Sequence, residues 1–474
     1  MKKILSVVLV LLAIPGLAQK NKPSLAAEPA DYLVPLTAEQ WSFQSGKVDF
    51  VDYKGRKAMR LSQNSGPVIL NDLVFQDGTI EYDLEPIRPE SAQSIYFHRK
   101  DDNEQEIVYL RTNSTTNPLA NDGIQYCPYV KGVNLWDLYP EYQAPALLKT
   151  SEWNHVKLII SGYRLLVFLN YSPQAVLDIP QLEANVRQGA IAFEGASYLT
   201  NLRVKPNVVE NVSPLASPDL TNHDPNYLRT WALTAPQNLP EGYELSVRQI
   251  PNPEQFTDSI QAERRGLVNL SRKYGADKTR RVIWLQTTII AQEEVHTNLQ
   301  LGFSDEIWVF LNHQMVLVDK NLYQYNMRKY PDGRISIQNV VAPLKLKKGE
   351  NDLLIGVAND FFGWGLMARL ESTYNIQTTG QVDRILSLAK DLTTLDMSLY
   401  EGTYRNADIQ FTLQFTRKDK ALQVQVSGQE GVTLQALGHH RFLYPASSAA
   451  FDFDLVHKKV ILRQGSDTKE FVKE

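Results

Sequence analysis

Apolar and polar residues alternate in short runs along most of the chain, and turn-forming residues rather than helical spacing separate the runs. The alternation predicts strands over Gly78 to Leu84, Gln93 to His98, Ile107 to Thr112, His155 to Ser161, Tyr163 to Leu169 and Ala190 to Glu194. The stretch from Pro206 to Asn226, with four prolines and no periodicity, marks a linker over 207–226. Beyond it, apolar runs near Val282 to Ile290, Val295 to Phe303, Glu306 to Leu311, Gln314 to Val318, Ile335 to Val341, Asn351 to Ala358 and Leu366 to Leu370 predict a second β unit. Residues 381–389 carry one short amphipathic helix pattern, and from there to the end the chain reads as an antiparallel meander. The expectation is an all-β protein: two β-sandwiches over 30–206 and 227–377, then a small antiparallel β unit over 382–474.

The segments FQDGTIEYDL, SIYFHR, DGIQYCPYVKGVNLWDLY, SEWNHVKLIISGYRLLVFLN and GAIAFEGASYLTNLRV follow one another over the first unit. In that order they resemble the concanavalin-like or laminin-G-like sandwich, in the version found near 3-keto-disaccharide hydrolase domains of exported bacterial proteins. The second unit, through LGFSDEIWVFLNHQMVLV, LKLKKGENDLLIGVAND and GWGLMARLE, resembles the galactose-binding-like jelly roll. The last, through LYEGTY, LQVQV and FDF, resembles the β-domain appended to exported bacterial serine hydrolases. These resemblances imply a sugar as the ligand class and an accessory role for the last unit.

Candidate chemistry starts at Glu81, Asp83 and Glu85, which alternate with Ile80, Tyr82 and Leu84 and so point to the opposite face of one strand. The spacing E-x-D-x-E is similar to that of the lichenase and laminarinase glycoside hydrolases, so this trio is the alternative catalytic set. Retaining hydrolysis needs two carboxyl groups about 5–5.5 Å apart, one of them a raised-pKa acid. Pro86, directly after the trio, argues against it by ending the strand. With Ile95, Phe97, Val108 and Leu110 inward, Tyr96, His98, Tyr109 and Arg111 turn outward, on the face expected for Glu81 and Asp83. Gln125, Tyr126, Tyr129, Trp136 and Tyr139 supply a polar and aromatic loop to close over that face. These residues form the candidate glycan site, without a catalytic centre of its own. In the second unit Asp305, Asn359, Asp360, Phe361, Phe362 and Trp364 are the loop candidates.

No His, Asp or Glu grouping has zinc spacing; no metal or cofactor is expected, and Asp122 is at most a loop oxygen for calcium. There is no G-x-S-x-G elbow. The net charge of -4 and 43% apolar composition give no reason to expect nucleic acid. The basic run from Arg264 to Arg281 reads as a solvated loop or a contact to the first unit. Two lysines, an apolar core and Gly16-Leu17-Ala18 give residues 1–18 the form of a signal peptide, and no later stretch is apolar enough to span a bilayer. Cys127 is the sole cysteine, which rules out an intrachain disulfide. The sequence thus predicts an exported bacterial protein, periplasmic or extracellular, that takes a glycan or oligosaccharide. The alternatives are a glycoside hydrolase acting through the carboxylates of the first sandwich, and a structural or interaction module that scaffolds an exported protein partner.

Overall fold

A computed structural model describes residues 32–474 apart from 88–91, 116–119, 241–244, 246–249, 324–325, 379–381, 439, 448 and 466. The expected signal peptide lies outside the described residues. Nearly all regular structure is β, as the alternation predicts.

The first sandwich packs two eight-stranded sheets. One sheet centres on Gly78–Pro86, paired with Asn154–Ser161 on one side and Ser197–Pro206 on the other. The other runs through Ile124–Val130, Gln105–Arg111, Ala92–Arg99 and Ala190–Glu194 in that order. Between them lie Ile80, Tyr82 and Leu84 from the first sheet and Ile95, Phe97, Val108 and Leu110 from the second, all in one core. Each such burial is worth roughly 1.5–3 kcal/mol, which fixes the register because a one-residue slip would turn every one of these side chains to water.

This arrangement overturns one expectation. Gly78–Pro86 and Ala92–Arg99 are consecutive in sequence but belong to opposite sheets. Glu81 and Asp83 therefore lie on one outer wall of the sandwich, while Tyr109 and Arg111 lie on the other. Parity along these strands was sound except at His98; membership of one sheet was not.

The second sandwich packs an eight-stranded sheet, with Arg281–Ala291 and Gly349–Asn359 at its centre, on a four-stranded one. Trp231 and Trp364 are fully buried in its core. The strand expected over Ile335 to Val341 begins only at Val340. Ile335 instead joins the first sandwich's core, and its N–H donates to the Asp137 carbonyl at 3.0 Å. Contact between the sandwiches is extensive, and the basic run serves it. Arg265 Nε lies 2.6 Å from Glu141, and Arg272 donates to the Glu183 carbonyl at 2.8 Å and to Asn185 at 2.7 Å.

Strands from Gly402–Arg405 to Asp467–Lys473 close into an eight-stranded barrel filled by Tyr404, Phe415, Phe442, Phe451 and Phe453. The helix Val382–Thr393 joins it to the second sandwich. Val382 and Ile385 pack against Trp284 and Trp308, and Leu392 against the barrel core.

Candidate functional site

A cleft of ≈ 550 Å³ lies on the outer wall of the sheet that holds Ala92–Arg99 and Gln105–Arg111. Strand parity builds its floor. Ser94 and Tyr96 on one strand and Tyr109 and Arg111 on the next face outward, with Tyr129 and Glu194 from the flanking strands. Loops of the second sandwich build its far side, with Tyr323, Phe361 and Phe362. Trp136 joins the two halves. Its ring meets Tyr323 edge-on at 4.8 Å and Phe362 at 5.9 Å, and Tyr323 stacks on Phe361 at 5.7 Å.

The polar floor is held by a buried amide. Gln125 Oε1 accepts from the Tyr109 hydroxyl at 2.9 Å and from Arg111 at 2.5 Å, while its Nε2 donates to the Trp136 carbonyl at 2.7 Å. Asn134 Oδ1 accepts from the Trp136 N–H at 3.2 Å and from Cys127 Sγ at 2.9 Å. On the opposite flank, the Tyr96 hydroxyl donates to Glu194 at 2.6 Å. Burial raises Tyr96, Tyr109 and Tyr129 above the ordinary phenol range, so all three present neutral hydroxyls. The arrangement offers aromatic faces for apolar ring surfaces together with fixed donors and acceptors for hydroxyl groups.

Several predicted residues lie elsewhere. Glu81, Asp83 and Glu85 occupy the other outer wall, each beside a cation. Asp83 accepts from Arg56 at 2.7 Å, His155 at 2.9 Å and Asn201 at 2.6 Å. Burial raises its carboxyl, but the hydrogen bonds from His155 and Asn201 and the neighbouring charges outweigh it and leave it below the usual range. Glu85 is bound by Lys54 at 2.7 Å and Tyr53 at 3.0 Å, and Glu81 lies 3.6 Å from Lys205. The depressed Asp83 carboxyl is the opposite of what a hydrolytic acid needs.

His98 is turned out of the floor by a bulge. Between the pairs Ala190–Arg99 and Ala192–Tyr96 two residues of one strand oppose one of the other, and His98 takes φ +48°. Its Nε2 donates to the Gln76 carbonyl at 2.6 Å, its Nδ1 has no hydrogen-bond partner among the described residues, and burial pushes its pKa down to about 4. Tyr126 and Tyr139 are also corrected. Tyr126 belongs to the strand Ile124–Val130, whose alternation turns it into the core, where its hydroxyl donates to Glu106 at 2.5 Å. Tyr139 stacks on Tyr142 at 5.4 Å in the same core and receives Asn269 at 3.3 Å.

Among the second-sandwich candidates only Phe361 and Phe362 reach this cleft. Trp364 is core, its Nε1 donating to the Val357 carbonyl at 3.2 Å. Asp305 is buried and caps the loop from below, accepting from the N–H groups of Asp360 at 2.6 Å and Phe361 at 2.7 Å. Asn359 and Asp360 border a different cleft of ≈ 540 Å³ with Lys278 and Arg280. Asp122 Oδ2 lies 3.9 Å from both Arg111 and Arg334, a setting that opposes another cation such as calcium. Among the described residues no three His, Cys, Asp or Glu side chains are grouped as metal ligands.

Tyr323 and Glu194 were absent from the sequence-based set. Glu194 follows the outward parity of its strand and was legible; Tyr323 stands in a long connection with no periodic signal.

No family model matches the chain, and no curated relative matches it. Solved structures resemble parts of it. A carbohydrate-binding module of family 66 from Bacillus subtilis shares 14% identity, covers 35% of this chain and 92% of its own, and has a TM-score of 0.25. Domain 4 of the arabinanase AbnA from Geobacillus stearothermophilus, solved with arabinotriose, shares 14% identity over 35% of this chain and 78% of its own, with a TM-score of 0.25. The Caenorhabditis elegans galectin LEC-6 shares 10% identity over 35% of this chain and 99% of its own, with a TM-score of 0.21. Likenesses of this extent leave function to the residues of the cleft. No helix among the described residues is long and apolar enough to cross a membrane.

Proposed function

We propose that this chain is an exported glycan-binding protein whose site is the cleft between the first sandwich and the loops of the second. One observation carries the reading. Tyr96, Tyr109, Tyr129 and Trp136 from one sandwich and Tyr323, Phe361 and Phe362 from the other line a single open cleft together with Arg111, Asn134 and Glu194. Sugar rings bring weakly polarised C–H faces that stack on aromatic side chains and a rim of hydroxyls that pair with fixed amides and charges. The volume falls within the range of about 300–1,000 Å³ usual for small-ligand sites. The N-terminal pattern of charge, apolar core and small residues supports export.

The test is binding of an oligosaccharide array by the full chain, compared with Tyr323→Ala and Phe362→Ala. Phe362 is 45% exposed, so its loss removes a ligand surface without opening the core. Loss of roughly 1 kcal/mol or more of binding in both variants, about fivefold in affinity, is the expected result. Binding that neither substitution changes would remove the cleft from consideration.

A further inference from the structure

Resting on the glycan reading above, we propose that the Arg111 end of the cleft takes the anionic substituent, carboxylate or sulfate, of an acidic glycan. One guanidinium lines that end and a second is buried close behind it. Arg111 lines the cleft, and Arg334 lies over the ring of Trp136 at 5.0 Å. Both approach the same oxygen, Asp122 Oδ2, at 3.9 Å.

Their situations differ in a way that points to a missing acceptor. Arg111 is satisfied on its protein side, donating to the Asp122 carbonyl at 2.8 Å, to Tyr109 at 2.8 Å and to Gln125 at 2.5 Å. The Arg334 side chain is only 3% exposed, yet among the described residues it donates no hydrogen bond, and its Nε is buried without a partner. Its carboxylates, Asp122 and Asp332, both stand at 3.9 Å, beyond hydrogen-bonding reach, and Asp332 is 62% exposed and screened by water. Burial, and after it the Arg111 charge, act against its protonated form. A guanidinium whose Nε is buried without an acceptor and whose carboxylates stand no nearer than 3.9 Å is costly to keep in a water-poor place. An anion seated against Arg111 and Trp136 would supply the compensating charge. The carboxylate of Glu194 lies two strands away, about 10 Å at the usual strand spacing, and already accepts from Tyr96, so it does not neutralise this end.

The bland reading is that Arg334 is only a pillar under Trp136. The two readings separate on ligand charge. The experiment titrates the full chain with neutral, uronate and sulfated oligosaccharides, and with methyl-esterified copies of the uronates, at low and high salt. Acidic glycans should bind at least about tenfold more tightly than their neutral or esterified counterparts at low salt, and the ratio should shrink with salt. The uronate and sulfate arms show which anion is taken. Arg334→Gln should collapse the ratio while sparing neutral ligands, and Asp122→Asn, which removes the negative charge near both guanidiniums, should widen it. A ratio near one, or an Arg334→Gln loss equal for neutral and acidic ligands, overturns the proposal while leaving the cleft as a glycan site. Failure of every oligosaccharide to bind overturns the glycan reading and this proposal together.

Discussion

Asp137 of the first sandwich accepts the N–H of Gly363 from the second, with the nitrogen 3.1 Å from each carboxylate oxygen. This bond fixes the loop that carries Phe361 and Phe362 against the strand-borne half of the cleft. Gly363 has no room for a side chain: a Cβ would stand 2.5 Å from Asp137 Oδ1 and 2.5 Å from Leu138 Cγ. Gly363→Ala should therefore push the loop off Asp137, costing about 1–3 kcal/mol as an overpacked site does. Thermal unfolding measures the stability loss, and ligand titration should show weakened binding although no ligand-facing atom has changed.

The same carboxyl makes the junction pH-dependent. Burial pushes Asp137 up to about 7, against the hydrogen bonds from Gly363 and Ser304. Asp305 is also raised well above the ordinary range by burial and by Asp137. The Ser304 hydroxyl lies 3.2 Å from Asp137, 2.9 Å from Asp305 and 3.0 Å from the Gly363 carbonyl, and its one proton cannot serve all three. The folded chain keeps the Asp137 proton up to about pH 7, whereas the unfolded chain releases it near 3.8. Its contribution is complete below about pH 4, declines between 4 and 7, and is absent above, a difference on the order of 4 kcal/mol at most. Asp137→Asn keeps an acceptor for Gly363 and loses the titration. Relative to the variant, the parent protein should gain stability in denaturant unfolding at pH 5 and lose that gain at pH 8. An identical difference at both values would mean that Asp137 is ionised throughout.

Gln125 sets the floor of the cleft without facing a ligand. It is fully buried and ties Tyr109, Arg111 and the Trp136 carbonyl together. Gln125→Met preserves much of the volume but removes the acceptor that Tyr109 and Arg111 share and the donor to the Trp136 carbonyl. A stability loss of about 1–3 kcal/mol should appear in unfolding, with binding weakened through misplaced Tyr109 and Arg111.

What the sequence reveals of this site follows from local rules. Tyr96, Tyr109 and Arg111 face outward because Ile95, Val108 and Leu110 must be buried, and a period of two admits no other choice. Long-range pairing is a different matter. The strand Gly78–Pro86 has the same alternation as its successor, and nothing within it says that its partners lie in Asn154–Ser161 and Ser197–Pro206. His98 escapes the alternation because a single extra residue in its strand reverses parity, and Tyr126 becomes core once its segment proves to be a strand rather than a loop. Phe361 and Phe362 were legible as loop aromatics, but their meeting with Trp136 depends on how two sandwiches dock.

That error of sheet assignment makes the acidic trio a sharp control. Asp83 lies on the wall opposite the cleft and binds Arg56, His155 and Asn201, so its role is to hold strands together. Asp83→Asn removes the charge but keeps an acceptor, and at pH 7 it should cost about 1–3 kcal/mol of stability. Because the folded carboxyl lies below its ordinary value of 3.8, its charge stabilises the fold above that pH and the contribution fades as pH falls below it. The gap between parent and variant should accordingly be wider at pH 7 than at pH 3, while glycan affinity at pH 7 stays within about twofold. A variant that unfolds like its parent but no longer binds sugar would return the ligand to this wall.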